Sequence, residues 1–345
     1  MIRPFTPLHL ASLRRHQATG APLELESTVL VGRSPLREAV AGTWPLGDGA
    51  VGTWVLAPAG DLAAGGFVQA RRRLSPSEAD LVFIAPALSA AGGAALTWQR
   101  LVSAACAALA AGGVLRVYVA VDEHDRVALQ VFRQLGFAPY TTDIVFRCAP
   151  GARAPDESIP VARVGPAHEA AIRQLFRAGV PEAVRATEGS TRGDWETYPL
   201  GGRAPRGVRH WVWLADDLRV LGACRLVTGR DGHWLRLVLD EAAEPGPPIR
   251  RALADAARIG PGQPVYAAAR GYETKLNLGL REGGFEPVVG RFRLVKHAAA
   301  RVLEPSWARR TVRGHGLDPA PSRTAPVVEA AGAPASARPH RGDAP

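Results

Sequence analysis

Apolar residues gather in three consecutive runs, VGTWVLAP (51–58), GGFVQARRR (65–73) and EADLVFIAP (78–86), bounded by Gly, Pro and polar residues. These read as strands, and the short turns between them predict an antiparallel meander. The pattern then changes. Small and apolar residues from Ala94 to about Ala110 predict a long helix closed by Gly112-Gly113. VLRVYVAVD (114–122) reads as a strand, DRVALQVFRQLGF (125–137) as a helix stopping at Gly136, and TTDIVFRC (141–148) as a closing strand. Ahead of the meander, Met1 to Pro4 reads as a short strand and Pro7 to His16 as an amphipathic helix with Pro in its first turn. The run S-P-L-R-E at Ser34 predicts the start of a second helix.

The same order then returns. PAHEAAIRQLFRAG (166–179) is a predicted helix, and RHWVWLA (209–215), RVLGACRLV (219–227) and HWLRLVLD (233–240) are strands. PPIRRALADAARI (247–259) is a helix, PVYAAAR (264–270) a strand, ETKLNLGLREGGF (273–285) a helix ending at Gly284, and PVVGRFRLVKH (287–297) a closing strand. FRQLGFAPY and LREGGFEPV match as helix ends broken at Gly-Phe-x-Pro, about 148 residues apart. Self-similarity in fixed order predicts an internal duplication. The fold class is α+β: two domains in tandem, each a twisted mixed sheet flanked by helices. The predicted boundaries are a first domain at 1–148, a Pro/Gly/Ala linker at 149–158, and a second domain at 159–298. A disordered tail is expected at 304–345, which lacks the aromatic and branched residues that bury a core.

Composition narrows the function. A length of 345 residues suits two domains of roughly 150 residues each. The longest uncharged stretch, Leu101 to Leu115, falls short of the roughly 20 apolar residues a spanning helix needs, so no membrane partner is expected. The N-terminal residues MIRPFTPLHLASLRRH hold no apolar run of signal-peptide length, and a cytoplasmic location is expected. Cys106, Cys148 and Cys224 lie far apart without C-x-x-C spacing, which argues against a disulfide framework and a zinc site, and no metal is expected. The net charge of +10 invites a nucleic-acid reading, but the basic residues are scattered and their densest cluster is only Arg71-Arg72-Arg73. A nucleic-acid footprint gathers on one face, so no nucleic-acid partner is expected.

Between Pro86 and the long helix lies the small-residue loop SAAGGA (89–94). Small residues let backbone N–H groups approach an anion closely, and the helix that follows points its positive end there. A diphosphate is the natural guest. The strand ending Ile84-Ala85-Pro86, this loop and the Gly-Phe helix stop together resemble the GNAT superfamily of acyl-CoA N-acyltransferases, over 1–148 and more weakly over 159–298. The resemblance implies two GNAT-like domains, with acetyl-CoA as co-substrate of the N-terminal one. The cofactor-binding positions it implies are Ile84, Ala85, Ser89, Ala91, Gly92, Gly93, Ala94 and Ala95, with Asp125 and Phe132 from the following helix. Ser89 stands where the family prefers Arg or Gln, Asp125 replaces its Asn, and Phe132 replaces a Tyr that often acts as general acid. In the second copy the loop reads EAAEPGPP. Glu241 and Glu244 repel phosphates there and Pro247 and Pro248 lack N–H donors, so that copy is not expected to bind CoA.

The implied function is transfer of an acetyl group from acetyl-CoA to the amine of an unidentified small molecule or protein. Such a reaction needs backbone N–H groups for the oxyanion, expected near the end of the strand 81–86, and a base for the ammonium proton. Glu78, Glu123 and His124 are the candidate bases. The alternative is a non-catalytic acyl-CoA-binding or protein-interaction module, because Phe132 and Leu280 make the Tyr-equivalent position apolar in both copies.

Overall fold

The computed structural model describes residues 2–32, 34–43, 51–56, 65–89, 94–151, 160–188 and 207–298. Residues 152–158 of the predicted linker and the whole predicted tail lie outside these. The N-terminal half contains, in order, β1 (Ile2–Pro4), α1 (Leu10–His16), β2 (Ala21–Pro22), α2 (Leu25–Val31), α3 (Pro35–Ala41), β3 (Val51–Leu56), β4 (Gly66–Arg72) and β5 (Glu78–Ala85). It continues with α4 (Ala94–Ala111), β6 (Arg116–Asp122), α5 (Arg126–Gln134) and β7 (Ala138–Cys148). The C-terminal half repeats the order as β8 (Val161–Arg163), α6 (Pro166–Gly179), α7 (Glu182–Glu188), β9 (Gly207–Leu214), β10 (Val220–Thr228) and β11 (His233–Leu239). It ends with α8 (Gly246–Ile259), β12 (Val265–Arg270), α9 (Thr274–Glu282) and β13 (Glu286–His297).

The meanders form as expected: β3–β4–β5 and β9–β10–β11 are antiparallel, and each third strand runs parallel to the strand beyond the next helix. Helices α5 and α9 stop at glycines with φ of 83° and 82°, Gly136 and Gly284, the left-handed conformation a side chain resists. Each following Phe, Phe137 and Phe285, turns into its core.

The closing strands do not close their own halves. One sheet runs β1-β3-β4-β5-β6-β13-β7-β12-β11-β10-β9-β8. β7, from the first half, pairs with β12 of the second, and β13 pairs with β6 of the first, while β7 and β13 lie side by side at the seam. The helices cross in the same way. α2 lies on the second half, where Leu30 packs with Trp234, Val227 and Val145. α7 reaches back to the first half, where Thr187 O accepts from Arg116 Nη1 at 3.0 Å and Tyr118 Oη at 2.7 Å. Alternation of apolar residues shows which face of a strand is buried but not which neighbour it takes, so the exchange left no trace in the sequence pattern.

Two cores lie on the face opposite α2 and α7. One gathers Trp98, Leu101 and Val102 of α4 and Phe132 of α5 against β4–β6, and the other Ile249 and Leu253 of α8 and Leu280 of α9 against β10–β12. Among the described residues α4 alone is long and apolar enough to cross a membrane, yet its inner face is core in this fold.

Candidate functional site

In the N-terminal half β5 and β6 pair only over Glu78–Asp80 and Arg116–Tyr118, then part. A bulge marks the divergence: Gln69 faces Phe83 and Ala70 faces Leu81, which leaves Val82 as the extra residue. The widening gap is occupied by the chain itself. Ala21 and Pro22 pair antiparallel with Ile84 and Phe83, and Leu23 N–H donates to Val82 O at 3.0 Å. Pro22 has no N–H, so the Ala21–Ile84 and Leu23–Val82 positions carry this ladder's hydrogen bonds. Arg291 of β13 seals the other side, its Nη2 donating to Leu23 O at 2.6 Å and Ala120 O at 2.8 Å. Burial pulls this guanidinium below the ordinary arginine range, and Asp143 opposes that pull.

This changes the reading of the expected donor site. The edge of β5 over Val82–Ile84, where oxyanion donors were expected, is covered by Ala21–Leu23. Ile84 and Ala85 are fully buried, Ser89 is exposed, and Ala94 and Ala95 begin α4. Ala91, Gly92 and Gly93 lie outside the described residues. Asp125 caps α5, accepting Ala128 N–H at 2.9 Å. Phe132 is a fully buried core side chain. Helical spacing turns it inward, and it packs edge-on against Trp98 and Phe137 at centroid distances of 5.8 and 5.2 Å.

The three candidate bases are not brought together. Glu78 is buried at the start of β5, where its Oε1 accepts from Arg116 Nη1 at 3.1 Å and Tyr118 Oη at 3.2 Å. Burial raises its carboxyl above the usual range, with Arg73 and Arg116 pulling the other way. Glu123 and His124 follow the far end of β6, about 20 Å away by strand rise. His124 Nε2 lies 3.7 Å from Glu123 Oε1, and its side chain is 87% exposed.

The C-terminal half has the same divergence, and no strand fills it among the described residues. β11 and β12 pair only over His233–Leu235 and Val265–Ala267. The segment corresponding to β2, Val180–Pro181 between α6 and α7, pairs with no strand. A cavity of about 920 Å³ occupies the opening. It is walled by Arg236–Leu239 of β11, Ala268 and Arg270 of β12, Phe176 and Val180 on the α6 side, and Thr274–Leu276 of α9. Since α6 and α9 pack on opposite faces of the sheet, the chamber passes through it. Beyond Leu235 the inner edge of β11 has no strand partner among the described residues, an edge able to pair with an extended amide-bearing chain.

Polar groups ring the chamber. Glu188 Oε1 accepts from Tyr140 Oη at 2.8 Å and Arg270 Nη2 at 2.7 Å. Burial pushes the Tyr140 phenol up to about 12. Arg236 Nη2 donates to Glu26 of α2 at 2.6 Å. Asp143 Oδ1 is buried with no hydrogen-bond partner, and its Oδ2 is 3.7 Å from Arg293 Nη1. The sequence reading passed over Asp143, Arg291 and Arg293. Their signal was charge on the inward face of strands: Arg291 and Arg293 stand two apart in GRFRLVKH, and Asp143 interrupts TTDIVFRC. Glu241 lies at the chamber mouth, where its carbonyl accepts Lys275 Nζ at 2.6 Å, and α8 opens with Gly246-Pro247-Pro248.

No protein-family model matches the chain, and no curated protein is recognisably similar in sequence. Solved structures do resemble it. A tandem GNAT protein from the clavulanic acid biosynthesis pathway superposes with a TM-score of 0.54 at 13% identity, over 87% of this chain and 98% of that one. A GCN5-related N-acetyltransferase from Sphaerobacter thermophilus gives a TM-score of 0.53 at 13% identity, over 86% and 95% of the two chains. A GCN5-related glucosamine N-acetyltransferase region of a fungal multi-domain β-N-acetylglucosaminidase gives 0.52 at 11% identity, over 85% of this chain and 38% of that one. The repeated meander, the paired divergences and these likenesses agree that the chain has the GNAT fold, built twice in tandem.

Proposed function

We propose that the protein is a cytoplasmic N-acyltransferase that moves an acetyl group from acetyl-CoA to an amine, and that its reaction chamber is in the C-terminal half. The observation that carries this reading is the contrast between the two divergences: β2 pairs along β5, while a chamber stands open beside β11. The amide-bearing arm of acetyl-CoA suits the unpaired edge at Arg236–Leu239, with its thioester inside the sheet. The acceptor enters from the α6–α7 face. Its nitrogen attacks the thioester carbonyl carbon, a C–N bond forms, the C–S bond breaks, and the nitrogen loses a proton.

The chamber wall carries the carboxylates of Asp143, Glu188, Asp240, Glu241 and Glu273, and of these Asp143 Oδ1, buried without a hydrogen-bond donor, is the one we assign to receive that proton. With Leu280 at the position of the family's Tyr, the departing thiolate takes its proton from water, as a thiol of ordinary pKa near 8.5 allows. The diphosphate finds few N–H donors at the start of α8, where Pro247 and Pro248 stand, and Lys275 in the chamber wall offers it a cation. The N-terminal half serves as scaffold. No nucleic acid or membrane enters this reading.

Calorimetric titration with acetyl-CoA tests it, using the unaltered protein, Ala268→Trp in the chamber wall, and Gly92→Glu in the N-terminal loop. One site lost in Ala268→Trp and kept in Gly92→Glu is the expected result. Loss in Gly92→Glu alone returns the site to the N-terminal half. No binding to the unaltered protein at millimolar acetyl-CoA overturns the acyltransferase reading and leaves a protein-interaction module.

A further inference from the structure

Behind the chamber, and sharing Asp143, Arg236 and Arg293 with it, lies a second cavity of about 60 Å³ walled by six arginines and four carboxylates. Most of these charges are satisfied at close range. Arg73 Nη2 meets Asp80 at 2.7 Å, Arg71 meets Glu24 at 3.2 Å, and Arg225 and Arg236 share Glu26 at 3.2 and 2.6 Å. Asp143 and Arg293 differ. Their 3.7 Å separation is too long for a hydrogen bond, and Asp143 Oδ1 is buried without any partner.

A buried carboxylate oxygen without a donor is costly, and a ligand that supplies one relieves that cost. Both residues face the chamber, so a ligand there meets a carboxylate and a guanidinium side by side. Groups 3.7 Å apart bind an ammonium and a carboxylate together only when the ligand carries both on one carbon or on neighbours. The excess of arginines behind them favours the anionic part, and Leu175, Phe176 and Leu237 in the same wall offer apolar surface for a side chain.

We infer that the chamber binds an α-amino acid with an apolar side chain, its ammonium on Asp143 and its carboxylate on Arg293, and that this amine is the acyl acceptor. The last clause rests on the acyltransferase reading; the binding does not.

The test is calorimetry without CoA, using L-leucine, L-methionine and L-phenylalanine, each against its decarboxylated amine and its deaminated acid. At least one amino acid is expected to bind tenfold or more tighter than both of its truncated forms. Arg293→Gln is expected to abolish the preference for amino acid over amine, and Asp143→Asn the preference over the deaminated acid. The inference is overturned if no amino acid of the three binds, if an amine binds as tightly as its amino acid, or if folded Arg293→Gln keeps the preference. Should a variant not fold, the ligand series on the unaltered protein decides. Amino-acid binding without acetyl-CoA binding leaves this inference standing and removes the acyltransferase. Acetyl-CoA binding without a zwitterion preference does the reverse.

Discussion

The guanidinium of Arg291 donates to the carbonyl of Leu23 at 2.6 Å, joining β13 to a segment 268 residues earlier. The same Nη2 reaches Ala120 O, so one side chain spans the gap between β5 and β6 that β2 has entered. Arg291→Met removes the donor from two buried carbonyls and is expected to destabilise the fold by about 2–4 kcal/mol in urea denaturation. A loss under about 0.5 kcal/mol would mean that these carbonyls are satisfied without it.

Glu26 holds Arg225 and Arg236 of the second half from the first turn of α2. Glu26→Gln leaves two guanidinium groups beneath the helix without their carboxylate, a change worth about 3–5 kcal/mol where the pair is well buried. Arg236 is partly solvent-accessible, so the low end of that range is expected. Equilibrium unfolding measures it, and an unchanged midpoint would mean that α2 is held by its apolar face alone.

The turn between β10 and β11 packs directly on α2: a Cβ at Gly229 would run into the backbone of Leu30. Backbone atoms cannot swing aside as a side chain does. Gly229→Ala is expected to cost about 1–3 kcal/mol and lower the melting temperature by several degrees. Differential scanning calorimetry checks it, and a variant as stable as the parent would show that the contact relaxes freely.

Burial lowers the pKa of His16, His210 and His233 below 6.5. Below pH 6.5 the unfolded chain therefore takes up protons that the folded one refuses, and stability falls as pH drops through that window. Glu78 acts in the opposite sense. Its raised carboxyl contributes stability that is full below about 4.5 and lost as pH rises through its folded value. The urea midpoint is expected to decline from pH 7 to pH 5.5, and His233→Gln to flatten part of that decline. A midpoint independent of pH over this range would contradict the burial of these imidazoles.

Strand and helix order were legible because the alternation of residues such as Val117, Val119 and Val121 and the glycine stops at Gly136 and Gly284 are local signals. β2 was not legible: two residues, one of them Pro22, carry no period, and their pairing with β5 is decided by tertiary contact. α7 carries little period either, because only Val184 and Glu188 of its seven residues are buried. The site was legible only in part, for a related reason. The small-residue loop and Gly-Phe stop are features of backbone conformation, and sequence shows those well. Whether the neighbouring gap is open depends on a segment some 60 residues away in the chain, and Arg291 and Arg293 looked like two more scattered arginines until their strand was placed at the seam.

The exchange of β7 and β13 also bears on inheritance. Once each half completes the other's sheet, a half can lose its chemistry but not its shape, because its final strand is structural material for its twin. The closing strand of each copy is therefore a wall of the other's sheet, and a gene cut between the two would leave both halves short of a strand that their sheets are built on.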